Sequence, residues 1–230
     1  MHTRRHFIGC AAAAVAALGS RPARASTSLM ISVLTCPRPH GAGYLSGTLA
    51  SVDAEVTPDV PRLLVCDGPE VVADGWTSAV LPPRNRARGA FNENITPGWV
   101  ALRTAWAMGA DLLFLEDDVR AVHRGAFAEM LRHEVPEGAA WTSFFSFGRA
   151  VGVHPAVTFR QSQAVKIPHR SLCALADAET RYRFLVGGAV WVDRAIGVVG
   201  GFHGWTFEQT HHLVEHIGLY SAANPTGKDS

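Results

Sequence analysis

The chain has 230 residues, of which 47% are hydrophobic and 18% are charged, with 22 glycines, 13 prolines and four cysteines. This composition excludes a disordered chain, a collagen-like repeat and a small disulfide-stapled fold, and the length suits a single domain with one core. The formal net charge is +1, and residues 1–25 contain four arginines and no acidic residue. The rest of the chain is therefore slightly acidic, which disfavours nucleic acids and anionic membranes as partners.

The first 25 residues have the order of a secretory signal peptide. The pair Arg4-Arg5 precedes an apolar run over residues 10–18, and a small-x-small cleavage site follows at residues 23–25. The paired arginines resemble a bacterial twin-arginine signal, which implies export through the Tat machinery to the periplasm or beyond. We predict a signal peptide over residues 1–25 and one domain over 26–230, with no transmembrane anchor in the mature chain. The alternative is that translation starts at Met30, which would leave the protein in the cytoplasm.

Strand and helix patterns alternate through the first half of the chain. Leu29–Thr35 and Arg62–Cys66 are short apolar runs that predict buried strands, and Tyr44–Val52 between them predicts a helix. A second helix is predicted to begin with Thr96 as N-cap and Pro97 as its first residue, and to end at Gly109. One apolar face of this helix carries Trp99, Leu102 and Trp106.

The rest of the chain continues the alternation less regularly. The patterns predict a strand at Asp111–Leu115, a helix at His123–His133, and strands at Ala139–Phe147 and Phe184–Val192 around an irregular stretch. Strand–helix alternation of this kind predicts an α/β fold, here a single domain with a mostly parallel central sheet.

Candidate functional residues follow the ends of three predicted strands. Thr35 closes the first strand, Asp67 follows the second, and Glu116-Asp117-Asp118 follows the third. In parallel α/β sheets, ligands bind beyond the carboxyl ends of the strands. Three consecutive acids repel one another and are costly to desolvate, and a divalent cation bound among them removes that cost. An isolated acidic triplet would indicate a solvated loop, whereas one behind a buried strand indicates a metal site.

The segment over residues 112–119 (LLFLEDDV), with the helix before it, resembles the core of the GT-A-fold nucleotide-sugar glycosyltransferases. Residues 214–221 (VEHIGLYS) resemble a V-x-H-I-G-x-x-S tail found in several of these enzymes, and residues 186–192 (VGGAVWV) resemble the segment that lines their sugar site. The resemblance covers roughly residues 31–221. It implies a GT-A, Rossmann-like fold and transfer of a hexosyl or N-acetylhexosaminyl group from a UDP-linked donor, with Mn²⁺ or Mg²⁺ as cofactor.

The same resemblance implies roles for the residues of the acidic motif. Glu116 and Asp118 would bind the cation, and His216 in the C-terminal tail would complete the metal shell. Asp117 lies in the same motif, which holds the cation against the donor diphosphate. The cation would stabilise the departing nucleoside diphosphate while the pocket orients the sugar.

Four further residues are candidates for binding the donor. By resemblance, Thr35 and Asp67 belong to the nucleoside pocket, in which an aspartate at the Asp67 position meets the base. Arg86 lies in an arginine-rich loop and could pair with the diphosphate, although such a cluster is more often a solvated loop. Asn92 could orient donor groups, and turn chemistry explains it equally well.

The C-terminal region departs from the family pattern. Inverting members carry an acidic base ahead of a late helix, and Glu208 inherits this role as the one acid between residues 193 and 215. Only seven residues separate Glu208 from His216, so the acceptor-binding elements look shortened. Residues 212–216 also fit the H-x-x-E-H pattern of a metalloprotease helix. Because Gly218 and Pro225 would interrupt such a helix, we interpret this match as accidental.

The sequence predicts a metal-dependent glycosyltransferase that acts on a glycan, lipid or protein acceptor. The export signal opposes this function, because nucleotide sugars are made in the cytoplasm. The conflict disappears if translation starts at Met30, if the protein acts before or without export, or if the fold has another use outside. A second hypothesis is therefore an exported, non-catalytic carbohydrate- or metal-binding domain, and a third is a metal-dependent hydrolase that uses the same acids.

Overall fold

A computed structural model describes residues 28–36, 43–68, 70–81, 91–145, 148–160, 162–177 and 192–217, with side chains of the helix at 91–107 described from Pro97 onward. The strands are β1 (Ser28–Thr35), β2 (Arg62–Cys66), β3 (Thr77–Val80), β4 (Ala110–Glu116), β5 (Val119–Ala121), β6 (Ala139–Ser143), β7 (Gly152–Pro155), β8 (Ala164–Ile167), β9 (Thr206–Gln209) and β10 (Val214–His216). The helices are α1 (Tyr44–Glu55), α2 (Phe91–Ala107), α3 (Ala126–Arg132), α4 (His169–Ala176) and α5 (Val192–Phe202), with a 3₁₀ turn at Ala156–Thr158. The predicted signal peptide lies outside the described residues. Within them, no helix combines the length and the apolar character that crossing a membrane requires.

Eight strands form one sheet in the order β3-β2-β1-β4-β8-β6-β9-β7. Six of them run in the same direction, and β8 and β7 run against it. The chain steps outward from β1 to β3, and α2 then carries it back to β4 on the other side of β1. This reversal makes the carboxyl ends of β1 and β4 a topological switch point, the place where α/β sheets bind ligands. β5 and β10 form a separate antiparallel pair.

Helices cover both faces of the sheet. α1 and α3 pack on the face that carries Val33 and Leu115, and α2, α4 and α5 pack on the face that carries Met30, Leu112 and Phe114. Because both faces are covered, β1, β2 and β4 are nearly continuous apolar runs rather than alternating polar and apolar residues. The predicted α/β class and mostly parallel central sheet are confirmed, and these three strands lie within one residue of their predicted bounds.

The predicted start of α2 is wrong. The helix begins at Phe91, so Thr96 is not its N-cap and Pro97 lies inside the helix. The neighbouring Gly98 has a packing reason, because a Cβ at this position would clash with the side chain of Val192 at the start of α5. The glycine therefore marks a close contact between two helices.

The second half of the chain differs most from the prediction. The stretch expected to be irregular contains β7, β8 and α4, and α3 begins three residues after the predicted His123. Trp106, expected on the apolar face of α2, is 46% exposed. Most of the strand predicted at Phe184–Val192 lies outside the described residues, and Val192 itself begins α5.

Candidate metal and nucleotide site

The switch point brings together residues that are far apart in the sequence. In the sheet register Leu34 of β1 lies beside Glu116 of β4, and Thr35 lies beside Cys66 of β2. The residues that end or directly follow these strands therefore meet at the carboxyl ends of the sheet. They are Thr35, Asp67 and the acidic triplet at 116–118.

Thr35 connects the end of β2 to the acidic triplet. Its Oγ1 donates a hydrogen bond of 2.7 Å to Oδ2 of Asp117, and both residues are buried. Its carbonyl accepts a hydrogen bond of 2.8 Å from the backbone N–H of Asp67. The bond gives each of these two buried polar groups a partner, as buried polar groups require. Asp117 is thereby held toward β1, and hydrogen bonds connect Thr35, Asp67 and Asp117.

His216 reaches Asp118 from the C-terminal strand. Pairing of β10 with β5 places His216 opposite Val119, directly after the acidic triplet. Nε2 of His216 lies 3.0 Å from Oδ2 of Asp118, and the N–H of Ile217 donates to the carbonyl of Asp118 at 2.9 Å. The histidine side chain is 27% exposed while Asp118 is buried, so the pair opens to solvent on the histidine side.

Glu116 lies beside this pair and resists ionisation. Burial, followed by the negative charge of Asp118 and, to a smaller extent, that of Asp193, raises the pKa of Glu116 to about 8. A hydrogen bond of 2.8 Å from Oγ of Ser162 and the nearby His216 act in the opposite direction. The carboxyl therefore keeps a proton at neutral pH unless a positive charge comes close to it.

Glu116, Asp118 and His216 form a candidate metal centre. Each offers one ligand atom, and the three atoms lie within 4.8 Å of one another. Two carboxylate oxygens and one imidazole nitrogen are a donor set for a divalent cation. The three residues come from β4, from the turn after it and from β10, so the folded chain is needed to assemble them.

Glu208 lies apart from this cluster. In the sheet it belongs to the cross-strand row of Thr142, Lys166 and Leu113, and Leu113 precedes Glu116 by three residues. Its Oε2 accepts a hydrogen bond of 2.7 Å from Thr142 Oγ1 and lies 2.7 Å from Nε2 of His133. The predicted acceptor base is thus engaged in a network between β6, β9 and the end of α3.

For the remaining predicted donor-binding residues, Arg86 and Asn92, the structure describes no side chain. Arg86 lies outside the described residues, as do positions 186–191 of the predicted sugar segment. Asn92 lies in the first turn of α2, so the interpretation as a turn residue is wrong, and its side chain lies outside the described part of the chain.

The H-x-x-E-H match does not form a metalloprotease helix. Its last three residues are the strand β10, in which neighbouring side chains point to opposite sides. Glu215 is exposed and pairs with Arg120 of β5 at 2.9 Å, while His216 turns to Asp118. The ring of His212 packs near Phe145, with 5.5 Å between ring centres.

Three residues at the site were not found by sequence reasoning. Ser162 donates a hydrogen bond to Glu116, and Asp193 at the start of α5 lies close enough to raise the pKa of Glu116. Thr48 of α1 contacts the turn that carries Asp118. Asp193 follows a predicted strand, and that position could have identified it. Ser162 and Thr48 lie in no motif, because their contacts depend on which elements pack together.

No protein-family model and no curated protein matches the chain. Mannose-1-phosphate geranyltransferase from Thermus thermophilus is 13% identical over 82% of this chain and 76% of its own, with a TM-score of 0.45. Galactosyltransferase LgtC, in complex with donor and acceptor sugar analogs, is 11% identical over 79% and 73%, with a TM-score of 0.46. Mannosyltransferase PcManGT from Pyrobaculum calidifontis, in complex with GDP-Man and Mn²⁺, is 12% identical over 91% and 65%, with a TM-score of 0.44. These likenesses are too distant to assign the chain to a family.

Proposed function

We propose that the chain is a metal-dependent glycosyltransferase of the GT-A type. It would move a hexosyl or N-acetylhexosaminyl group from a nucleotide sugar to a glycan, lipid or protein acceptor. The observation that carries the proposal is the meeting of Glu116, Asp118 and His216 at the switch point of the sheet, with ligand atoms within 4.8 Å of one another. Ligands of α/β sheets bind at switch points, and a cation at the same place would stabilise a departing nucleoside diphosphate.

The three residues fit Mn²⁺ or Mg²⁺, with Mn²⁺ preferred. The imidazole of His216 favours a transition metal over Mg²⁺, and the two carboxylates favour Mn²⁺ over softer metals. The raised pKa of Glu116 fits this reading, because a cation would offset both the burial of that carboxyl and its repulsion by Asp118. When bound, the cation supplies the positive charge that stabilises a departing nucleoside diphosphate.

The chain's own residues would bind and orient the donor beside the cation. Asp67 offers a carboxylate at the end of β2, next to Thr35, where it can accept hydrogen bonds from a base or a ribose. Thr35 holds Asp117 toward β1, which leaves Glu116 and Asp118 to face His216. We extend the proposal to a UDP-linked donor, with a GDP-linked donor as the alternative that the same assay tests.

Release of nucleoside diphosphate from UDP- and GDP-sugars tests this function. The wild-type chain should release it when Mn²⁺ is present and not when EDTA is present, because the cation stabilises the leaving group. Asp118→Asn should abolish the release. Glu215→Gln is the matched control, since Glu215 lies next to His216 in sequence but faces Arg120, and this variant should keep full activity. Equal release by the wild type and Asp118→Asn would contradict the assignment.

A second candidate function is an exported domain that binds a sugar nucleotide or a metal without transferring the sugar. The engagement of Glu208 with His133 and Thr142 favours it, because the predicted acceptor base is occupied in the described structure. With this candidate we also propose the Tat-type signal over residues 1–25 and the domain over 26–230. N-terminal sequencing of secreted protein tests the signal, and acceptor-dependent sugar transfer by the purified chain would exclude the binding-only function.

A further inference from the structure

We propose that Thr48 is a positioning residue of the metal centre, acting through the backbone of the turn that carries Asp118. The inference rests on the proposed function in one respect, namely that Glu116, Asp118 and His216 bind a divalent cation. It adds a residue that belongs to no motif and lies 70 positions away from Asp118 in the sequence.

The hydroxyl of Thr48 makes unusual contacts for a threonine in a helix. Ser51 in the same helix and Thr104 in α2 donate to the carbonyl four residues earlier in their own helices, at 2.8 Å in each case. This is the ordinary local bond of such residues. Thr48 Oγ1 instead lies 2.8 Å from the carbonyls of both Asp117 and Val119. Because a hydroxyl has a single proton, the two carbonyls share one donor.

The two contacts of Thr48 lie on either side of Asp118. The carbonyl of Asp118 itself accepts the N–H of Ile217 at 2.9 Å. Three consecutive carbonyls, those of residues 117 to 119, are thus bonded by groups outside the turn, from α1 on one side and from the end of β10 on the other. The backbone on both sides of the Asp118 side chain is therefore held in place.

These hydrogen bonds to three backbone carbonyls set the direction of the Asp118 carboxylate. Thr48, Asp117 and Val119 are all buried, so the two carbonyls that lost the hydroxyl would have no ready replacement from solvent. The turn would rearrange to recover hydrogen bonds, and the 3.0 Å contact between Asp118 and His216 depends on its present shape. Removal of a group that orients a metal ligand without contacting the metal typically lowers metal affinity by about 10- to 100-fold.

Titration of the full chain with Mn²⁺ tests the proposal. Thr48→Val keeps the shape of the side chain and removes the hydroxyl, so it should weaken Mn²⁺ binding by about 10- to 100-fold. Thr48→Ser keeps the hydroxyl and should restore an affinity within about threefold of the wild type. The matched control is Thr104→Val, which removes a buried helix hydroxyl bonded to its own helix and should leave Mn²⁺ affinity unchanged even where stability falls.

The outcomes separate this role from a structural one and from the proposed function. Equal Mn²⁺ affinity in Thr48→Val and the wild type, with both folded by circular dichroism, would overturn the positioning role. If Thr48→Val does not fold, Thr48→Ala compared with Thr48→Ser decides in the same way, and equal affinities overturn the role. Absence of Mn²⁺ binding by the wild type would overturn the metal centre of the proposed function, and the role of Thr48 with it.

Discussion

The two halves of the central sheet place their polar residues differently. In the half formed by β3, β2, β1 and β4, all strands are parallel, and Thr35, Asp67 and the acidic triplet at 116–118 lie at or just after the carboxyl ends of β1, β2 and β4. In the half formed by β8, β6, β9 and β7, the directions are mixed and polar residues lie inside the strands, as Lys166, Thr142 and Glu208 do. The first half therefore presents a binding edge, whereas the second uses its polar groups to join its own elements.

Hydrogen bonds within the second half support this distinction. Lys166 is buried, and its Nζ donates to the carbonyls of Leu131 and His133 at the end of α3. Glu208 of β9 contacts His133 after α3 and accepts a hydrogen bond from Thr142 of the neighbouring strand β6. Each of these polar groups has a partner from another element, as buried polar groups require. We infer that these residues hold α3 on the sheet, while Glu116 and Asp118 of the first half face His216 at the candidate metal centre.

The largest expected effect is the loss of metal binding at the edge of the parallel half. Asp118→Asn removes the charge of a ligand that lies within 4.8 Å of its two companions. Mn²⁺ affinity should fall by about 100-fold or more, beyond the range seen when supporting groups are removed. Calorimetric titration with Mn²⁺ measures it. An Mn²⁺ affinity equal to that of the wild type would contradict the assignment of a binding site to the parallel half of the sheet.

The pH dependence of stability gives the next largest effect. The pKa of Glu116 is raised to about 8 in the folded chain from an ordinary value of 4.5, so the folded protein keeps a proton that the unfolded chain releases. In EDTA, stability should be full below the unfolded value and fall as pH rises toward about 8. Urea unfolding at several pH values measures it, and Glu116→Gln should flatten the dependence. A wild type whose stability rises over this range, or a variant with the same slope, would contradict the assignment.

Glu208 tests the second half of the sheet. Glu208→Ala removes the acceptor for Thr142 and the partner of His133, and it should lower the free energy of unfolding by about 1 to 3 kcal/mol while Mn²⁺ affinity stays unchanged. Urea unfolding and Mn²⁺ titration measure the two quantities. Weaker Mn²⁺ binding would show that Glu208 belongs to the metal site after all.

Glu208→Gln, which keeps the shape of the side chain, addresses the predicted acceptor base. Loss of sugar transfer with Mn²⁺ and nucleotide binding intact would support that role, because a base is needed for the acceptor hydroxyl and not for the donor. Unchanged transfer would assign Glu208 to the structural network alone.

The smallest effect is expected at the exposed pair beside the metal centre. Glu215→Gln breaks the ion pair with Arg120, whose side chain and that of Glu215 are both largely exposed. Exposed ion pairs contribute little to stability, so the melting temperature and Mn²⁺ affinity should both match the wild type. A clear loss of Mn²⁺ affinity would mean that this pair, rather than the backbone pairing of β10 with β5, holds His216.

The difference between the two halves of the sheet also explains which strands and site residues can be predicted from the sequence. β1, β2 and β4 are buried on both faces and appear as apolar runs, so they and the acids that follow them can be predicted. The strands β8 and β9 (AVKI and TFEQ) do not look buried, because Lys166 and Glu208 depend on partners that no local pattern shows. Thr48 and Ser162 are hidden for the same reason, since they are defined by packing between distant elements.

The most direct test of the proposed function is a calorimetric titration of the chain with UDP and, in parallel, GDP, each with Mn²⁺ and with EDTA. The metal centre lies at the same switch point as Thr35 and Asp67, so we predict nucleotide binding that needs Mn²⁺ and is lost in Asp118→Asn. Binding that is equally tight in EDTA would contradict the role of the three-residue cluster. If neither UDP nor GDP binds in the presence of Mn²⁺, the result would contradict a nucleotide-sugar site at this edge of the sheet.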